Sequence, residues 1–372
     1  MRIGILNFQD TNWNYGALLQ AAALQYEIEK LGHTTQHIDL RWREQPFLSQ
    51  VKSDSKMFVK KLLGIKQPEN HYSGCKKVFE QFRKKWIKRT RKFYTSESLQ
   101  KAKFNYDMAV VGSDQVWRWS FIGNGWLETY FLGFLPENTK RISYAASFGF
   151  DYWEKEKDAE DTLKVKKLLQ NFSAVSVREK AGIKICKNNF DISAEFVLDP
   201  VLLAGKEFFD KIIKNENLNN EKQDIIAYYF LSSKSGEDIV SFLEKELSVC
   251  KQNIFFEKTG NVQKYNSVEN FLKQIKESKI VITDSFHGAC LSIIFGKPFV
   301  AIAFQNGATS RFENILGMCG LNDCLIDDVY DEERLKKALS FAMQINWGNV
   351  NKNLENMRSI SREFLITNLK VE

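Results

Sequence analysis

The chain has 372 residues, more than one compact core usually holds and enough for two domains of ordinary size. With 44% hydrophobic and 27% charged residues and only 5 prolines, it has a soluble globular composition that excludes collagen-like, disordered and disulfide-scaffold classes. The net charge of +7 is concentrated, because Lys76 to Lys92 alone holds nine basic residues and one acidic residue.

The N-terminus, Arg2 to Asn7, is a short apolar run soon interrupted by polar residues, which predicts a first strand rather than a signal peptide. No stretch approaches the roughly 18 apolar residues of a membrane helix, so a cytoplasmic location is expected. A helix from about Gly16 to Leu31 and a strand at His33 to Leu40 follow. A long basic insertion then runs from about Arg41 to Phe104. Strands resume at Asp107 to Gly112 and Arg141 to Ala146, followed by a charged helix near Trp153 to Asn171 and strands at Ala174 to Val177 and Ala194 to Leu198.

Near Asp199-Pro200 the first series ends. A second begins at Asp224 to Leu231 and continues through Asn253 to Glu257, a helix at Ser267 to Glu277 and a strand at Lys279 to Thr283. A helix from Gly288, a strand at Phe299 to Phe304, a helix near Ser310 and a strand at Cys324 to Ile326 come next. Helices from Asp331 to Gln344 and Val350 to Leu369 close the chain. Strands alternating with helices predict parallel sheets covered on both faces, hence an α/β chain with two Rossmann-like domains facing a cleft. The expected division is 1–200, with the insertion at about 41–104, then 201–346, then a C-terminal helix at 347–372.

In such folds ligands bind beyond the carboxyl ends of strands. Three loops qualify. Gln9 to Ala17, containing Asn14, Tyr15 and Gly16, offers backbone N–H groups at a helix start, although capping by Asn12 or Asn14 explains the same residues. Gly112-Ser113-Asp114-Gln115-Val116-Trp117 supplies groups that read hydroxyls. Trp117, Trp119 or Trp126 offers a ring for stacking on a sugar, or a core anchor. Asp284-Ser285-Phe286-His287-Gly288 is the most informative, because His287 alone of four histidines lies between a strand end and a helix start. There it suits an acid/base role beside an anion, with a hydrogen-bonded structural histidine as the plainer alternative. Arg178 and Arg311 follow strands and suit carboxylate or phosphate; an ordinary salt bridge is the default for each.

The segment Lys76 to Lys92 carries Phe79, Phe82 and Trp86 at helical spacing and reads as a basic amphipathic helix packed on the domain. The sharper reading is contact with an anionic membrane, at its inner face, or with a lipid-linked substrate. No nucleic-acid motif accompanies the charge. The six cysteines show no paired or zinc-type spacing, so buried free thiols and no metal site are expected. Neither a Walker lysine, a GxSxG elbow nor an HExxH is present.

Asn14-Tyr15-Gly16-Ala17, Gly112 to Trp117, Ser176-Val177-Arg178-Glu179-Lys180, Val197-Leu198-Asp199-Pro200 and Thr283 to Gly288 occur in this order. Together they resemble the polysaccharide pyruvyl transferase family over about residues 2–320. The resemblance implies a fold similar to GT-B glycosyltransferases and transfer of pyruvyl from phosphoenolpyruvate to a sugar as a ketal. Phosphoenolpyruvate is then a co-substrate and no other cofactor is needed. It implies His287 as catalytic. Arg178, Ser285, Phe286, Gly288 and Arg311 would lie on the donor side. Asn14, Tyr15, Gly16, Ser113, Asp114, Gln115 and Trp117 would lie on the acceptor side, the acceptor being a saccharide, lipid-linked or free. Some members carry Arg-Leu-His where this chain has Ser285-Phe286-His287, which removes one cation. A nucleotide-sugar glycosyltransferase on the same frame and a non-catalytic sugar-binding scaffold are the rival readings.

Overall fold

A computed structural model describes residues 1–41, 75–123, 125–214, 224–231, 236–259, 262–303, 309–328 and 330–370. The first half of the expected insertion, including His71, lies outside the described residues, as does Phe304.

The apolar runs of the first series form β1 (Arg2–Leu6), β2 (Thr34–Leu40), β3 (Arg89–Phe93), β4 (Met108–Val111) and β5 (Lys140–Ser143), all parallel in the order β3-β2-β1-β4-β5. β4 is buried throughout and reads Met-Ala-Val-Val, as a strand covered on both faces must. The short pair β6 (Ser176–Val177) and β7 (Glu195–Phe196) continues this sheet through bridges from Ile142 to Ala174 and Ala146 to Val177.

The second series forms β8 (Ile226–Tyr229), β9 (Lys251–Asn253), β12 (Ile280–Thr283), β13 (Phe299–Ile302) and β14 (Leu325–Ile326), again parallel, in the order β14-β13-β12-β8-β9. Between β9 and β12 an antiparallel hairpin, β10 (Phe256–Thr259) and β11 (Val262–Tyr265), stands outside the sheet; the sequence pattern had suggested a strand over part of it. In each sheet the strand order reverses at one place, between β1 and β4 and between β8 and β12. The crevices at those two reversals are where such folds hold ligands. The loops beyond β1, β4 and β12 are the three that the sequence singles out.

The helices bring the crevices together. α1 (Tyr15–Lys30) packs on α4 (Pro200–Lys214), which also packs on α6 (Val268–Glu277) and α7 (Phe286–Phe295). α7 is apolar all round and wholly buried. One hydrophobic cluster spans both halves, joining Tyr15, Leu18 and Leu19 to Phe271, Leu272 and Ala289. The final helix, α10 (Trp347–Asn368), returns to the first sheet, where Phe364, Leu365 and Leu369 pack against Ile3, Ile5 and Leu24. Ser361 Oγ accepts from Leu198 N at 2.9 Å and anchors that return.

The basic segment is not one helix. α2 (Cys75–Trp86) ends at Trp86, and Arg89 to Phe93 pairs with β2 as the edge strand β3. Phe79 and Phe82 are buried, as their spacing requires. Much of the charge is answered inside the protein, by Asp39 and Glu29 from distant elements and by the segment's own Glu80. Arg89 meets Asp39 at 3.1 Å and Glu80 at 2.8 Å, and Lys88 meets Glu29 at 2.8 Å. Arg83 is fully buried; it donates to the carbonyls of Gln9 (3.0 Å) and Thr11 (2.7 Å) and to Asn12 Oδ1 (3.1 Å), and so shapes the loop beyond β1. Lys76, Lys77, Lys84, Arg91 and Lys92 remain exposed. Of the cysteines, Cys186, Cys290, Cys319 and Cys324 are buried thiols, whereas Cys250 is exposed, contrary to expectation.

Candidate active site

The loop beyond β12 is held from below. Thr283 Oγ1 donates to Tyr229 O at 2.7 Å and accepts from Ser285 N at 3.0 Å. Ser285 is the N-cap of α7, its Oγ accepting from Gly288 N at 3.3 Å. Its side chain is therefore committed to the helix and offers no charge to a ligand. His287, in the first turn of α7, is only 6% exposed.

The first turn of α1 faces it. Asn14 caps that helix, its Oδ1 accepting from Ala17 N at 3.3 Å. Gly16 lies against the imidazole so closely that a Cβ at this position would come within 2.1 Å of His287 Nδ1. The glycine is a requirement of this close approach: any side chain there would displace the ring.

Asp199 binds the two halves of the site. It precedes Pro200, the first residue of α4, and caps that helix, with Oδ1 accepting from Val201 N at 2.9 Å. Its Oδ2 accepts from Ser113 Oγ at 2.8 Å and from Arg178 Nη1 at 2.8 Å, and stands 3.4 Å from His287 Nε2. Burial alone would raise this carboxyl, but the charges and hydrogen bonds of His287 and Arg178 outweigh burial and hold it well below the usual carboxylate range. Asp199 was legible only as an element boundary and as part of a motif. Its role depends on three loops converging from far apart in the chain.

Arg178 is buried among acids: beyond Asp199 it faces Asp114 Oδ1 at 3.5 Å and Glu179 Oε2 at 3.9 Å. Burial opposes its charge, yet these carboxylates raise its pKa above the ordinary arginine value. Phe286 packs beneath it, with the guanidinium carbon 4.8 Å from the ring centroid. Glu179 is buried too, and burial pushes its carboxyl up despite Arg178. Its Oε1 accepts from Phe148 N at 3.1 Å. Arg311, in the first turn of α8 (Thr309–Cys319), has its pKa pushed down to about 10 by burial and by the neighbouring Arg178 charge. Among the described residues, Arg311 Nε and Arg178 Nε and Nη2 are buried without hydrogen-bond partners.

Two expected acceptor residues are elsewhere. Trp117 is fully buried, stacked on Phe131 with centroids 5.1 Å apart, and donates Nε1–H to Tyr130 O at 3.1 Å. It anchors the core of the first half and presents no face to a sugar. Tyr15 is also fully buried; its ring stacks on Phe271 at 4.2 Å and its hydroxyl donates to Asn266 O at 2.7 Å. It joins the two halves of the molecule. Ser113 is buried and its hydroxyl holds Asp199, so it acts through that carboxylate. Asp114 sits with φ 79° beside Arg178, and half-buried Gln115 accepts from Arg118 Nη1 at 2.9 Å. The site thus brings together His287, Arg178, Arg311, Phe286, Gly288, Gly16, Ser113 and Asp114, and leaves Trp117 and the Tyr15 hydroxyl out.

Chemically this is a nearly dry histidine next to a buried carboxylate, with one guanidinium ringed by acids and a second, Arg311, whose Nε meets no hydrogen-bond acceptor. Such a set suits proton transfer beside a bound anion. Among the described residues no group of three His, Cys, Asp or Glu is placed to hold a metal ion, and no helix is long and apolar enough to cross a membrane.

No curated protein matches the sequence. Solved structures similar in fold include UDP-GlcNAc 2-epimerase from Methanocaldococcus jannaschii, with 12% identity over 98% of this chain and 99% of that one and a TM-score of 0.52. UDP-GlcNAc 2-epimerase from Neisseria meningitidis, bound to UDP-GlcNAc, has 9% identity over 99% of each chain and a TM-score of 0.50. At such identities the likeness is one of fold, the GT-B arrangement of two Rossmann-like halves facing a cleft. A model of the family named polysaccharide pyruvyl transferase matches residues 14–306, a span that runs from the cap of α1 through the His287 loop, and the chain belongs to that family.

Proposed function

We propose that this protein transfers a pyruvyl group from phosphoenolpyruvate to a saccharide of a cell-surface polysaccharide or its precursor, forming a pyruvate ketal and releasing phosphate. The observation that carries the reading is Arg311 Nε, buried without a hydrogen-bond partner and close to Arg178, whose guanidinium is bonded to the Asp199 that faces His287. Buried donors left without acceptors are costly, and a dianionic or trianionic ligand would satisfy them.

In this mechanism His287 gives a proton to the methylene carbon of phosphoenolpyruvate, and the adjacent carbon becomes electrophilic. One sugar hydroxyl adds there and loses its proton; a second hydroxyl displaces phosphate at the same carbon to close the ketal. Asp199 Oδ2, 3.4 Å from His287 Nε2, orients the imidazole. Arg311 supplies the cation missing at Ser285. Arg178 holds Asp199 in place and adds its charge beside the donor site.

Phosphoenolpyruvate at 100 times its dissociation constant is expected to stabilise the protein by about 2.7 kcal/mol, read as a rise in melting temperature, and Arg311→Ala to abolish the rise. Response to a nucleoside diphosphate but not to phosphoenolpyruvate would sink the proposal in favour of glycosyl transfer. A cytoplasmic location, with peripheral contact to the inner membrane face through exposed Lys76, Lys77 and Lys84, belongs to the same reading. Co-sedimentation with phosphatidylserine vesicles should then be lost when those three charges are reversed.

A further inference from the structure

Of the three rings that the sequence offers for sugar stacking, Trp117 is in the core and Trp119 is half-buried under Lys155, but another aromatic surface stands close to the site. Phe150 and Tyr152 lie with ring centroids 5.2 Å apart and planes 18° from parallel, and Tyr152 is 52% exposed. A single exposed tyrosine needs no explanation. This pair is different, because a guanidinium is built against it.

Arg118 lies between two rings, 4.3 Å from the Phe150 centroid and 4.5 Å from that of Phe121. It is fixed at both ends, donating from Nη1 to Gln115 Oε1 at 2.9 Å and from Nε to Ser120 Oγ at 3.0 Å. The backbone at Gly149 is folded onto this group with φ 81°, where a Cβ would fall 2.7 Å from Gln115 Oε1 and 2.8 Å from Arg118 Cδ. Only glycine fits both the conformation and the contact, so the approach of Phe150 to Arg118 is built into the chain.

The shelf is continuous with the site at one end and with a groove at the other. Gln115 follows Asp114, whose carboxylate faces Arg178, and the charge of Arg118 is felt at Arg311. Beyond Tyr152 a groove of about 410 Å3 runs along residues 152–158, with Glu154 fixed by the amide of Ser120 at 3.1 Å. That volume lies in the range of small-ligand sites.

We infer that the Phe150–Tyr152 shelf, with Arg118 and the adjoining groove, is the subsite for a pyranose of the acceptor saccharide. The apolar face of a pyranose ring stacks on an aromatic surface as one ring does on another, while Arg118 and Glu154 meet its hydroxyls. This inference rests on the proposed function for what the acceptor is, and on this geometry for where it lies.

The test is saturation-transfer NMR of the full chain with methyl β-glucoside, methyl β-galactoside, methyl α-mannoside and their N-acetylated counterparts. At least one should bind, with saturation strongest on the ring C–H protons, and Tyr152→Ala should weaken it roughly tenfold. Tyr330→Ala, at a 78% exposed tyrosine elsewhere, should leave binding unchanged. Binding by none of the panel, or binding that survives both Tyr152→Ala and Phe150→Ala, overturns the subsite. The phosphoenolpyruvate shift in melting temperature, measured on Tyr152→Ala, should persist. Its absence in the wild type would overturn pyruvyl transfer while leaving the saccharide result to stand or fall alone.

Discussion

His287→Ala is expected to lower turnover by roughly 100- to 10,000-fold, the range for losing a general acid/base group. The imidazole sits where two helix N-termini meet, against Gly16 on one side and 3.4 Å from Asp199 on the other. Neither other histidine among the described residues can replace it. His37 is buried in β2, where burial pushes its pKa down to about 3, and His33 lies beside Met1 at the far end of the sheet. In the proposed mechanism Arg311, not His287, holds the anion, so the variant should keep the melting shift given by phosphoenolpyruvate. That combination, donor binding retained and chemistry lost, separates a catalytic role from a structural one. A rate within threefold of wild type, measured as phosphate release, would remove His287 from the mechanism.

Asp199→Asn should damage both activity and stability. Oδ2 of the wild-type carboxylate receives Ser113 and Arg178 and faces His287, while Oδ1 receives Val201 N. An amide that keeps the Val201 bond turns its NH2 towards the Arg178 guanidinium, which can only donate. Arg178 is then left charged and buried without its closest partner, a loss on the order of 3–5 kcal/mol for a broken buried pair. Ser113→Ala removes a single hydrogen bond to the same carboxylate and should cost about 1.5–3 kcal/mol. The pH dependence follows from the depressed carboxyl of Asp199. Its contribution is present above the ordinary carboxyl range, about pH 4, and is lost as pH falls from there towards its folded-state value. The stability gap between wild type and variant should therefore be flat near neutrality and narrow only below about pH 4. Chemical denaturation across pH 3 to 8 checks this, and a variant as stable as wild type at pH 7 would refute the buried-pair account.

The main elements were legible because apolar runs of strand length alternate with helical periods throughout both halves, and a parallel sheet demands that alternation. β4, buried on both faces, could be read from Met108 to Val111 alone. The His287 loop was legible for a related reason: a histidine between a strand end and a helix start has few structural uses. The helical spacing of Phe79, Phe82 and Trp86 describes Lys76 to Trp86 but not Arg89 to Phe93, whose pairing with β2 no local pattern reveals. Asp39 and Glu29, which neutralise part of the segment's charge, come from β2 and α1, distant in sequence, and join its own Glu80.

By itself the sequence determined the α/β class, the two series of strands, the family and the loop that carries His287. These follow from local periodicity and from residue types adjacent in the chain. Only the tertiary structure decided that Asp199 joins Ser113, Arg178 and His287, that Trp117 and Tyr15 belong to the core, and that Ser285 caps a helix. The reason is physical: a tryptophan, a tyrosine or an aspartate is equally at home in a core, a cap or a cleft. What fixes its role is the set of groups that folding brings within about 3–4 Å of it, from segments tens to hundreds of residues away.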